Sequence, residues 1–219
     1  MCRQLGMKLP THVGLGQFTE PYRGNNQYRG TLVRTTYFAR AYVPGTASDK
    51  IPVAKYHNPL FALRFAQLMG EAAAVDMIVG RRSSENKENL FDKNYEVVQF
   101  GSDGLPLRLV VTEHTGSFVN YYHTFEESVA PYANVIRRRL AYVADPKAFA
   151  AAYVSSFEKT LASVQNKYRS RRKAYDFLFV NRPFDVAGSG AYRWAKVLER
   201  LDKCEPAAVA KKLAEAIDL

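Results

Sequence analysis

"YHNPLFALRFAQLMGEAAAVDMIVG", Tyr56 to Gly80, admits two readings, and the choice between them decides the fold. In one, Asn58 caps a helix, Pro59 takes its first position, and a single buried helix runs to a closing Gly80. In the other, Phe61, Leu63 and Phe65 face a core from a strand while Arg64 faces out. Only the alanine-rich second half of the stretch is then helical. Short apolar runs fit both periods, so periodicity alone leaves both open.

The flanking sequence supplies strands before and helices after. "TLVRTTYFARAYV", 31–43, is rich in β-branched and aromatic residues and predicts a strand ended by Pro44-Gly45. "YEVVQF" and "LPLRLVV" flank "GSDG", which predicts a β-hairpin over 95–111 with positive φ at Gly101 and Gly104. Residues 1–30 carry five glycines and two prolines, and are expected to form an extended, irregular arm.

"TFEESVAPYANVIRRRLAYV" predicts a helix capped by Thr124 with Glu127 three residues on, Pro131 kinking it or shifting its start. After Asp145-Pro146, an apolar stripe of Phe149, Tyr153, Phe157, Leu161, Val164, Tyr168 and Tyr175 predicts one long helix. At 1.5 Å per residue it would span about 50 Å, enough to leave the body and lie on a partner. "AYRWAKVLERLDK" and "PAAVAKKLAEAI" predict two shorter amphipathic helices behind it. The chain thus divides into an arm (1–30), an α+β core (31–140) and a helical extension (141–219).

Charge is distributed in blocks. The net charge of +10 resolves into +7 over 1–82, −5 over 83–136, +8 over 137–173 and balance thereafter. Segregated positive charge suits a polyanion, because neutralising phosphates releases condensed counterions. The densest cluster is Lys167, Arg169, Arg171, Arg172 and Lys173, preceded by Arg137, Arg138 and Arg139. Arginine outnumbers lysine among these eight, which favours geometric phosphate contact, and all eight are assigned to RNA binding. A solvated face or an acidic protein neighbour is the competing account. "VNYYHTF", 119–125, adds aromatics for stacking, interfaces or a core.

Catalytic signatures are weak by comparison. Lys55 with Glu71 has the types of a kinase lysine–glutamate pair, but no His-Arg-Asp or Asp-Phe-Gly follows. "GLGQFT" at Gly14 lacks the third glycine and preceding strand of a dinucleotide loop. "YRGT" at Tyr28 lacks the glutamate pair of an ADP-ribosyl transferase. His12, His57, His114 and His123 have no zinc-ligand spacing, and Glu113-His114 is an isolated acid–base candidate. Cys2 and Cys204 form no framework, which fits a reducing compartment. No catalytic residue, cofactor or metal is expected, and no apolar run is long enough to span a membrane.

Ile51, Pro52, Tyr56, Asn58 and Pro59, with Asp103-Gly104 in the hairpin, resemble the small thioredoxin-like domain of certain mitochondrial ribosomal proteins. A respiratory complex I accessory subunit shares that domain. The resemblance covers 31–140 and implies a mixed sheet in which Tyr56 to Pro59 opens a strand. It implies a non-catalytic ribosomal subunit of the mitochondrial matrix, contacting ribosomal RNA and neighbouring ribosomal proteins in a large ribonucleoprotein assembly. The alternatives are an accessory subunit of a respiratory complex and an enzyme with a pocket on the core.

Overall fold

A computed structural model describes residues 13–21, 32–40, 45–80, 96–111, 123–179 and 190–219. The stretch from Pro59 to Val79 is one helix, and the strand reading of Phe61 to Phe65 is overturned. Asn58 accepts hydrogen bonds from the amides of Leu60 (3.0 Å) and Phe61 (3.2 Å), satisfying two of the four orphan donors at the helix start. At the other end Gly80 takes the left-handed conformation (φ 61°, ψ 45°) and returns its amide to Asp76 and Met77. The caps close both ends of a helix whose apolar residues are buried against the rest of the body, and that burial outweighs the short alternation at Phe61-Leu63-Phe65.

This helix and the short turn of helix before it, Val53–Tyr56, are α2 and α1. Fourteen of α2's 21 residues are buried, on nearly every side, so it is the central element of the body. Tyr56 sits at its start, edge-on to both Phe61 (5.5 Å) and Phe65 (5.3 Å).

The strands are β1 (Val13–Pro21), β2 (Leu32–Arg40), β3 (Thr46–Ala47), β4 (Glu96–Phe100) and β5 (Pro106–Val111). β1 pairs with β2, and a separate sheet runs β3-β4-β5. Every described pairing is antiparallel, which corrects the expected mixed sheet. The physical reason is α2: it consumes the residues that a parallel strand would need. β1 also corrects the arm, since Gly14 and Gly16 lie within its ladder opposite Ala39 and Tyr37. Glycine weakens a ladder without preventing it.

The hairpin stands as expected, but only Gly104 has positive φ (73°). Asp103 closes the turn by accepting from the Leu105 amide at 2.9 Å. One face of β5 packs on α2, with Arg64 Nε donating to the Pro106 carbonyl at 3.3 Å.

The remaining helices are α3 (Ala130–Leu140), α4 (Pro146–Ser170), α5 (Arg172–Phe179), α6 (Gly190–Lys203) and α7 (Pro206–Ile217). Thr124 and Glu127 do form a capping box, exchanging 2.8 Å and 3.2 Å bonds, but around a 3-10 turn at Glu126–Ser128. α3 starts afresh with Pro131 in its first turn, as a residue without a backbone donor allows. Asp145 caps α4 through the Ala148 amide (2.9 Å), as expected.

α4 does not leave the body. Phe149, Tyr153, Phe157, Leu161, Val164 and Tyr168 are all buried, and Tyr153 donates to the Tyr132 carbonyl of α3 at 3.3 Å. The expected continuous helix also breaks: Arg171 (φ −121°, ψ 17°) leaves the helical region, and α5 begins after it.

α2 and α4 meet at Gly70. A Cβ there would collide with the Tyr153 carbonyl oxygen and come within 2.9 Å of the Phe157 amide nitrogen. The missing side chain lets the two backbones approach.

Candidate nucleic-acid interface

The joint between α4 and α5 gathers five cationic side chains. Lys167 and Arg169 occupy the last turn of α4, Arg171 is its cap, and Arg172 and Lys173 open α5. All five are exposed. The joint keeps its shape because Tyr168 and Tyr175 are buried beneath it, each 2% exposed, with ring centroids 5.9 Å apart. These tyrosines belong to the core and present no stacking surface.

Two of the five are tied to α6. Arg172 Nη1 lies 2.8 Å from one Asp202 carboxylate oxygen and Arg169 Nε 3.3 Å from the other. Arg169 Nη2 also donates to the Asp202 backbone carbonyl at 2.6 Å. The buried Gln165 amide completes the cap, donating to the carbonyls of Leu201 (2.7 Å) and Cys204 (2.8 Å). α4 side chains thus satisfy the last-turn carbonyls of α6. Exposed ion pairs of this kind contribute about 0–1 kcal/mol each, and their main effect is to fix orientation. Lys167, Arg171 and Lys173 have no ion-pair partner among the described residues.

The second basic cluster divides. Arg137 is exposed and lies 3.5 Å from Asp218 after α7; Arg138 is exposed. Arg139 is only 8% exposed, with its guanidinium 5.8 Å from the Phe65 ring centre, and its assignment to RNA binding is corrected. The signal was legible: Arg139 follows Tyr132 by seven and Ile136 by three, on α3's buried stripe. The two clusters also flank opposite ends of α4, roughly 30 Å apart along its axis, so they form no single patch.

Beside the joint lies a cleft of about 390 Å³ between α6 and the segment containing His123 and Phe125. Glu199 stands on its wall with Lys196 Nζ at 2.8 Å and Lys203 Nζ at 2.7 Å. The hydrogen bond from Lys196, then that from Lys203, holds its carboxyl down to about 2. Arg200 lies over the buried Phe125 ring at 4.5 Å, and burial lowers its guanidinium to about 10, still a cation at neutral pH. Burial raises the Cys204 thiol to about 12, so it is no nucleophile. His123 is exposed, 3.8 Å from Glu127. Among the described residues lining the cleft, no general base stands within hydrogen-bond reach of a nucleophile.

Lys55 is exposed and rests against the Phe100 ring at 4.9 Å. Glu71, twelve residues into α2, is about 18 Å along the axis from its start, too far for a kinase pair. Among the described residues, no three His, Cys, Asp or Glu side chains converge on a metal position, and no helix is long and apolar enough to cross a membrane. His12, Glu113, His114 and residues 119–122 lie outside the described residues. Comparison with protein-family models, curated proteins and solved structures found no match.

Proposed function

We propose that this chain is a non-catalytic RNA-associated structural protein that grips phosphates with the joint between α4 and α5. The observation that carries the reading is the exposed trio Lys167, Arg171 and Lys173 beside an arginine pair that Asp202 holds in place. A solvated face spreads its charges, since like-charge neighbours on a helix destabilise it. Here five cations fall within the seven residues, 167–173, that span a helix break. Asp202 pre-orients Arg169 and Arg172, reducing the side-chain entropy lost when a phosphate arrives. Arg137 and Arg138 give a second, distant contact that a long RNA could reach and a short one could not.

The reading rests on charge placement and not on the resemblance. Pro52, Asn58 and Pro59 open α1 and α2 where the resemblance implied a strand, while its Asp103-Gly104 turn stands, and the ribosomal and mitochondrial parts of the expectation are proposals. They remain one setting in which this chemistry would serve.

The test is binding of a structured RNA as salt rises from ~50 to ~200 mM. Three phosphate contacts imply a loss of about 40-fold over that range. K167Q/R171Q/K173Q should flatten the slope by about the same three contacts. Affinity insensitive to salt, or unchanged in that variant, refutes the reading.

A further inference from the structure

We infer that the cleft beside α6 receives an unpaired nucleotide of the RNA strand that the joint holds; this rests on the proposed RNA contact. The cleft and the joint share the last turn of α6. Asp202 pins Arg169 and Arg172 on one side, while the next residue, Lys203, lines the cleft. A strand crossing that turn passes from one cationic group to the next.

The cleft's contents match one nucleotide. Its volume of about 390 Å³ falls in the range of small-ligand sites. Lys196 and Lys203 reach the wall as ammonium groups held by Glu199, and Arg200 brings a guanidinium stacked on Phe125. Half-buried Tyr192 supplies an aromatic wall. Guanidinium and aromatic planes are what unstacked bases rest on, and ammonium groups are what the adjoining phosphate needs. A paired base is already stacked inside its helix and cannot enter, so the cleft distinguishes single strands from duplexes. Glu199 competes with that phosphate for the same two ammonium groups, which sets a further expectation.

Fluorescence anisotropy with a short labelled single-stranded RNA, and with the duplex of the same sequence, tests this on the full chain. K196Q/K203Q should weaken single-strand binding about tenfold and leave duplex binding within about twofold. E199Q, which frees both lysines, should tighten single-strand binding about threefold. R171Q/K173Q should weaken both probes. Thermal melting of each variant separates a lost contact from a lost fold.

Equal losses on both probes in K196Q/K203Q, or no loss on the single strand, overturn the nucleotide site while leaving the joint intact. Wild-type protein that binds neither probe overturns both readings together. Uridine monophosphate distinguishes the source: if it binds tightly through Lys196 and Lys203 while the protein shows no preference for strand over duplex, the cleft serves a free nucleotide and the strand assignment falls.

Discussion

Gly70→Ala is the sharpest test of how the body is held together. In an exposed helix, alanine would be favoured over glycine by about 0.5–1 kcal/mol, because glycine loses more backbone entropy on folding. At position 70 the added methyl meets the Tyr153 carbonyl oxygen and comes within 2.9 Å of the Phe157 nitrogen. Both are backbone atoms of α4 and cannot rotate aside. Relief requires α2 and α4 to separate along a contact that buries Phe65, Met69, Phe149 and Phe157, each 0% exposed. Overpacking of this kind costs about 1–3 kcal/mol, and the helix gain offsets only part of it. The net expectation is a loss of about 1 kcal/mol, or a fall in melting temperature of about 2–4 °C at this chain length. Urea unfolding followed by far-ultraviolet circular dichroism measures it, and an unchanged m-value keeps the comparison between like states. An unchanged or raised melting temperature would mean that the close approach of α2 and α4 at Gly70 is wrong.

Three other outcomes follow from named contacts. Asn58→Ala removes the acceptor for Leu60 and Phe61 and should cost about 0.5–2 kcal/mol in the same unfolding assay. Arg139→Ala and Arg171→Ala should behave oppositely: the first leaves a void beside Phe65 and costs about 1–3 kcal/mol with RNA affinity intact, the second costs almost no stability and weakens binding. If Arg139→Ala melts like wild type yet loses RNA, the burial of that side chain is refuted. Glu199 has a lowered folded-state value, so its contribution is present above the ordinary 4.5 and lost as pH falls toward about 2. Melting temperatures of wild type and Glu199→Gln should therefore differ near neutrality, by less than about 1 kcal/mol equivalent for so exposed a pair, and converge at about pH 2. A gap that persists in acid would assign the effect to something other than the two lysine pairs.

The candidate interface was half legible in the sequence. The five cations around Arg171 are read directly from the sequence, because runs of charge cannot be buried together. Their division of labour was not. That Arg169 and Arg172 face Asp202, thirty or more positions away, depends on how α6 returns along α4. The cleft was invisible for the same reason: its residues come from two segments, about 70 positions apart, that only packing brings together.

What local chemistry dictates, the sequence determined: the cap at Asp145, the Thr124–Glu127 pairing, the Asp103-Gly104 turn, and the inward stripe from Phe149 to Tyr168. Each depends on atoms within one or two turns of each other. Tertiary structure decided the rest. It made Leu60–Ile78 one central helix, because that run could be buried on all sides only by α4 and the sheet. It broke the long helix at Arg171, so that α5 turns to bury Tyr175 in the body, and it drew Arg139 inward against Phe65. Those choices belong to packing between distant segments, where burial of apolar surface outweighs the preference of any single residue.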